Sequence, residues 1–245
     1  MIDTILFDLD GTLLQFSQED FINDYFARLG KVFIRMGMDA EASKKAVWVG
    51  TKAMALNDGS MLNSKRFWAG FAECLGLTAE KNKEVEAACD KFYTTEFDGV
   101  KSVLRPSGIS TRLVRELSDR GFTVVLATNP LFPACAVTTR LNWIDLKPDD
   151  FRHITHYSNS TYCKPNPGYF NEILAEIKKA PEQCLMAGNH PVEDMGAGKL
   201  GMETFLVTDC LENEANVDIS SFRRGTLAEL EEHLLSLPTL HFTPI

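Results

Sequence analysis

The hydrophobic pattern changes its period twice along the chain. Residues 4–9 are apolar and β-compatible up to a turn at Gly11, so they predict a buried strand. From Ser17 onward the spacing becomes helical. Phe21, Ile22, Tyr25, Phe26, Leu29, Phe33 and Met36 form one face, behind a Ser17/Asp20 start that resembles a capping box. Three further helical stretches follow at about 39–57, 64–75 and 79–97, punctuated by Gly37, Gly59 and Gly76. No strand signal interrupts them, so 16–99 reads as an all-helical insert. After Pro106 the texture alternates. A helix at about 109–120 stops at Gly121, followed by a strand at 123–128, a short helix, and a strand at 153–158. A helix at about 167–179, a strand at 184–188, a short helix to Leu200, a strand at 203–208 and a helix at 226–236 complete the pattern. Strands alternating with helices predict an α/β fold with a parallel sheet covered on both faces. The expected division is a core of 1–15 and 100–245 with the insert 16–99. The segment after Pro238 reads as an irregular surface tail.

Two carboxylates break the first strand as it ends, Asp8 and Asp10 in Ile5-Leu6-Phe7-Asp8-Leu9-Asp10-Gly11-Thr12. Charged groups are almost never buried without partners. In open α/β sheets ligands bind at the carboxyl ends of the strands. Those ends carry Thr128-Asn129 after the second strand, Lys164-Pro165 after the third and Gly188-Asn189 after the fourth, with Asp194 close behind. Read singly, each is ordinary turn or surface chemistry. Together they predict one site fed from four segments, in which a lysine and a cation pair with the aspartates.

Composition narrows the classes. The 245 residues are 44% hydrophobic and carry a net charge of -9, without a Lys/Arg run to attract a nucleic-acid backbone. A small phosphorylated molecule is not excluded, because a divalent cation reverses the local sign. The six cysteines form no C-x-x-C pair, which points to a reduced, cytosolic chain rather than a zinc or dithiol site. The acidic N-terminus lacks the basic start of a signal peptide, and no apolar run is long enough to span a membrane. Gly196-Ala197-Gly198-Lys199-Leu200-Gly201 formally matches a dinucleotide fingerprint, but it finishes a helix instead of opening one. His190 reads as a surface histidine, and Lys65 and Arg66 as a solvated helix start.

The four segments, in this order, resemble the motifs of the haloacid dehalogenase-like hydrolases: Asp8-Leu9-Asp10-Gly11-Thr12 the first, Thr128 the second, Lys164 the third, and Gly188-Asn189-His190-Pro191-Val192-Glu193-Asp194 an altered fourth. The resemblance implies a Rossmann-like core with a helical cap between the first and second motifs. It also implies a Mg²⁺-dependent phosphatase acting on a small phosphorylated metabolite. In that family's terms Asp8 attacks phosphorus, and Asp10 serves as acid and then base. Thr128, Asn129 and the Gly11-Thr12 turn hold phosphoryl oxygens, and Lys164 neutralises Asp8 and the phosphate. Asp8, the Asp10 carbonyl, Asn189 and Asp194 are the candidate metal ligands. The departure is Asn189, where the family usually has an aspartate. Losing one charge about 4 Å from Mg²⁺ costs up to ~4 kcal/mol at an effective dielectric of 20. Two rival readings stay open: a catalytically weakened protein that binds a phosphorylated ligand or a partner on the same fold, and a sugar-phosphate mutase. A true dehalogenase is disfavoured by the second carboxylate, Asp10.

Overall fold

The computed structural model describes residues 1–105 and 107–240. Among these residues six strands form one sheet, all parallel, in the order β3-β2-β1-β4-β5-β6. They are β1 (Thr4–Phe7), β2 (Thr123–Leu126), β3 (His153–Ile154), β4 (Cys184–Gly188), β5 (Glu203–Val207) and β6 (Arg224–Gly225). The order reverses beside β1, which pairs with β2 on one side and β4 on the other, Phe7 standing opposite Leu126 and Ala187. That is the switch point where such sheets open a crevice for ligands.

Successive residues of β1 serve opposite faces, as strand geometry requires. Ile5 and Phe7 join a core with α5 (Ile109–Asp119) and α8 (Leu227–Leu235), while Leu6 joins a second core with α7 (Pro167–Ile177) through Tyr169, Phe170 and Ile173. Both faces are covered, which explains why the central strands β1, β2 and β4 carry no charged residue.

The insert folds as α1 (Gln18–Arg35), α2 (Ala40–Ala55), α3 (Asn63–Leu75) and α4 (Ala79–Thr95). Three of the four starts have a side-chain cap. Ser17 Oγ accepts the Asp20 N–H, Asp39 Oδ1 the Ala42 N–H at 2.7 Å, and Thr78 Oγ1 the Lys81 N–H at 3.2 Å. α3 ends at Gly76 in the left-handed conformation, φ 62°. The apolar face predicted for α1 is buried at Phe21, Tyr25, Leu29 and Phe33, and it runs without a break into the cluster on the Ile5/Phe7 face of the sheet. The link is aromatic: Phe97 lies 6.0 Å from Tyr25 and 5.4 Å from Trp143, centroid to centroid.

Several elements differ from the sequence pattern. β3 covers His153–Ile154 instead of 153–158, because Thr155 turns its hydroxyl onto the Thr128 carbonyl and Asn159 Oδ1 takes the His156 N–H. The released segment then pairs with the start of α3, where the Ser64 N–H donates to the Tyr157 carbonyl and the Asn63 N–H to the Ser160 carbonyl. A 3₁₀ turn at Phe97–Val103 follows α4, and the short strand β6 precedes α8; neither has a signal in the period. Residues 195–200 form a 3₁₀ turn that stops at Gly201 before β5, as predicted from the glycine spacing. The tail expected after Pro238 lies, from 241 on, outside the described residues. No helix among the described residues is long and apolar enough to cross a membrane.

Candidate active site

β1 delivers Asp8 to the switch point. The strand's hydrogen bonding runs to its end, where the Asp8 N–H donates to the Ala187 carbonyl at 2.9 Å and the Ala127 N–H to the Phe7 carbonyl at 2.7 Å. The chain then closes a tight turn, with the Leu14 N–H on the Leu9 carbonyl and the Gly11 N–H on the Leu14 carbonyl. Gly11 has φ +80°, and a Cβ there would lie 2.0 Å from Asn189 Nδ2. Only glycine fits both the conformation and the approach. Gly188 is constrained by approach alone, since a Cβ there would meet the Asp194 carboxylate at 2.2 Å.

Lys164 joins the acids. Its Nζ donates to Asp8 Oδ1 at 2.8 Å and to Asp194 Oδ1 at 2.6 Å, all three groups being buried. Burial alone would push the ammonium down, but Asp194 and Asp8 outweigh it and hold Lys164 well above the usual lysine range. Burial pushes the Asp8 carboxyl up, against the pull of Lys164. The Thr128 carbonyl is fixed by Thr155 Oγ1 at 2.6 Å and the Tyr169 hydroxyl at 2.9 Å, which sets the end of β2.

A cavity of ≈ 150 Å³ opens at these strand ends. Its walls include Asp8, Asp10, Thr128, Asn129, Asn189 and Asp194, so six of the predicted residues meet there. Gly11, Thr12 and Lys164 stand behind that wall. The Thr12 hydroxyl is within 3.4 Å of Asp8 Oδ2 and 3.5 Å of Asn189 Oδ1, and it is fully buried. The Thr12 hydroxyl is therefore placed to steady the acid and the amide. Asp194 has both oxygens taken, Oδ1 by Lys164 and Oδ2 by the His190 N–H at 2.9 Å. It thereby positions the lysine beside Asp8. The Asn129 side chain bridges Glu193 Oε2, at 2.8 Å, and the Lys164 N–H, at 3.3 Å.

Three residues that the sequence pattern leaves unmarked or ambiguous complete the wall. Glu193 lines the cavity, and burial pushes its carboxyl up. Glu212, from the segment after β5, also lines it; burial, with Asp10 and Glu193 adding to it, pushes its carboxyl up to about 7. His190 is half-buried on the wall, and its Nδ1 accepts the Val192 and Glu193 N–H groups. The Asn189 amide explains the altered motif. Its Nδ2 donates to the Cys210 carbonyl at 2.7 Å and faces Glu212 Oε1 at 3.3 Å. An aspartate there would turn an acceptor toward a carbonyl and a carboxylate.

Arg140, on α6 (Ala134–Asn142), has no counterpart among the residues predicted from the sequence. Its guanidinium is fully buried, pairs through Nη1 with Asp10 Oδ2, and lies 4.4 Å over the Phe132 ring. Arg140 Nη2 and Asp10 Oδ1 have no protein partner among the described residues. Arg66, by contrast, is engaged locally by Asp58, Asn57 and Ser60, and Lys65 is exposed.

Five carboxyl residues thus surround one small cavity, faced among the described residues by the Lys164 and Arg140 cations. Such a donor set, rich in hard oxygens and short of positive charge, fits a divalent ion such as Mg²⁺. Among the described residues no three His, Cys, Asp or Glu side chains converge as a ready-made cage.

The family comparison agrees with this geometry. Residues 2–201 match the model of the haloacid dehalogenase-like hydrolases, and the chain belongs to that family. Solved structures of similar fold include a HAD phosphatase from Thermococcus onnurineus, at 17% identity and TM-score 0.60, covering 98% of this chain and all of that one. The putative HAD-hydrolase YfnB from Bacillus subtilis, bound to magnesium, is 21% identical with TM-score 0.61, covering 96% of this chain and 99% of its own. L-2-haloacid dehalogenase from Xanthobacter autotrophicus is 13% identical with TM-score 0.56, covering 97% of this chain and all of its own. At these identities the likeness is one of fold. No curated protein matches the sequence.

Proposed function

We propose that this hydrolase is a phosphatase for a small phosphorylated metabolite and works through an aspartyl-phosphate. The observation that carries the reading is the buried Asp8–Lys164–Asp194 chain at the switch point, with Asp10 and Thr128 on the same cavity wall. An Asp8 oxygen forms a bond to phosphorus while the ester P–O bond breaks, a role known for carboxylates. Asp10 gives its proton to the departing oxygen. A water then attacks phosphorus and loses its proton to Asp10, and the bond to Asp8 breaks to free inorganic phosphate. Asp10 is the residue assigned this transfer, and Arg140 holds its Oδ2. Lys164 stabilises the charge on Asp8 from behind, as a point charge.

Mg²⁺ is the cation this acid cluster would take, held by the Asp8 carboxylate and the Asp10 carbonyl, and when bound it neutralises the phosphoryl oxygens. Glu212 restores the charge that Asn189 lacks, and the Asn189 oxygen stays beside Thr12. Residues 16–99 act as a cap on the core of 1–15 and 100–245, closing over the cavity to exclude water. Support for the cap role comes from Gln18 and Phe21 of α1, which share the cavity wall with the core's acids.

The test is phosphate release from p-nitrophenyl phosphate with and without Mg²⁺, in parent and Asp8→Asn proteins. Loss of about 10³-fold or more is expected for the variant. Equal rates in the two proteins would end the aspartyl-phosphate route. A second reading, binding without turnover, is favoured by the occupied amide of Asn189. Calorimetry decides between the two: no heat at millimolar Mg²⁺, together with no turnover, selects the binder.

A further inference from the structure

A second cavity, of ≈ 120 Å³, adjoins the acid one and shares four wall residues with it: Gln18, Phe21, Leu131 and Phe132. Its remaining walls come mainly from the aromatic face of the helical insert, among them Tyr25, Trp48 and Trp68, with Tyr157 from the segment after β3. Among the described residues no charged side chain lines it. Its hydroxyl groups and the Trp68 indole are already engaged. The Tyr25 and Tyr93 hydroxyls are 2.7 Å apart, Thr51 Oγ1 donates to the Val47 carbonyl at 2.9 Å, and Trp68 Nε1 lies 3.5 Å from the Tyr157 hydroxyl. Trp48 is 46% exposed, so the cavity reaches the surface of the insert.

We infer that this cavity receives the leaving group of the substrate, and that the leaving group is a small apolar ring, a phosphorylated alcohol of the benzyl type. The inference rests on the phosphatase reading and adds the substrate class to it. Three physical facts carry it. The cavity shares Gln18, Phe21, Leu131 and Phe132 with the acid site, so it lies beside any group bonded to phosphorus at Asp8. Its size is close to that of an apolar cavity of ~150 Å³ known to stay dry and bind benzene. Its hydroxyls are engaged with one another, with backbone or with an indole, and the polar side chains that remain on its walls, Gln18, Trp48 and Cys89, are too few to pair with the ring of hydroxyls on a sugar; an unpaired polar group moved from water costs ~1–3 kcal/mol. A sugar phosphate is therefore rejected where a ring of similar bulk without hydroxyls is taken in.

Benzyl phosphate, glycerol phosphate and glucose 6-phosphate give the test, since all three release an alkyl alcohol and their intrinsic reactivities are matched. With Mg²⁺ present, kcat/KM for benzyl phosphate should exceed the other two by at least about tenfold, the lower end of what one apolar group contributes in a fitted pocket. Val47→Phe, which fills the cavity, should bring that ratio toward one, with a circular-dichroism spectrum as the check on folding. Should the variant not fold, the parent protein answers alone: benzylphosphonate should raise Tm and compete with substrate at lower concentration than methylphosphonate. Comparable turnover of all three esters, or equal competition by the two phosphonates, overturns the inference and leaves the phosphatase reading standing. Phosphate release from none of them, nor from p-nitrophenyl phosphate, sinks the phosphatase reading and this inference with it.

Discussion

Two cavities share the wall formed by Gln18, Phe21, Leu131 and Phe132, and they are held together by opposite physics. The acid cavity is built from charges brought from distant parts of the chain. Its aspartates are fixed by a partner of opposite sign or by a backbone donor: Asp8 by Lys164, Asp10 by Arg140, Asp194 by Lys164 and the His190 N–H. The apolar cavity is built from rings at helical spacing, fixed by packing and by one hydroxyl pair. The difference teaches where each side is fragile. A charge network fails when one member is removed, because its partners are left buried and unpaired. An aromatic face gives way in smaller steps, because each atom removed takes away only its own small share of the dispersion attraction.

The sharpest way to break the comparison is Lys164→Met. Two buried carboxylates would lose their common cation, and a loss of about 3–5 kcal/mol is expected in urea unfolding at neutral pH. A change under about 1 kcal/mol would show that the acid cavity is solvated and not held by this pair. Arg140→Met follows, at about 3 kcal/mol, since it strands Asp10. Combining it with Asp10→Asn should recover part of that loss. Strict additivity in the double-mutant cycle would mean that the two groups do not interact.

On the apolar side Tyr25→Phe removes one hydroxyl of a buried pair and leaves that of Tyr93 alone, so about 1 kcal/mol is expected. A cost as large as that of Lys164→Met would erase the contrast drawn between the cavities. The smallest effect belongs to His156, on the segment that ties β3 to α3. Burial, with His153 adding to it, holds its imidazole below the usual range, and its Nδ1 accepts the Ser158 N–H at 3.2 Å. The unfolded chain therefore takes up this proton first. Its contribution is complete above pH ~6.5 and declines as pH falls toward the folded-state value. His156→Asn should flatten the stability profile slightly between about pH 7 and 5, and an unchanged slope would assign the titration elsewhere.

Much of this was legible along the chain. α1 to α4 lie within about two residues of the periodicity's limits, and capping side chains such as Ser17, Asp39 and Thr78 are local signals. The residues at the ends of β1, β2 and β4 converge as alternation predicts, since parallel strands present the same edge. Arg140 was missed because an arginine within a helix reads by default as a surface cation. The available clue was its register with Ala136 and Val137 on the buried face of α6. Glu212 offered no clue, since it follows a strand at no spacing that chemistry demands. β3 came out short because its end is set by Thr155 and Asn159 bonding to neighbours, which outweighs β propensity.

By itself the sequence determined the alternation of strands and helices, the aromatic face of the insert, and the placing of Asp8 and Asp10 where a strand runs out. These depend on period and turn chemistry, which act over a few residues. The tertiary structure decided which charges meet, Asp10 with Arg140 across 130 positions and Asp8 with Lys164 across 156. It also decided that Asn189 turns its amide to Cys210, and that the apolar cavity opens beside the acid one. Pairing in a low-dielectric interior depends on distance and direction in space, and neither is written in the spacing of residues along a chain.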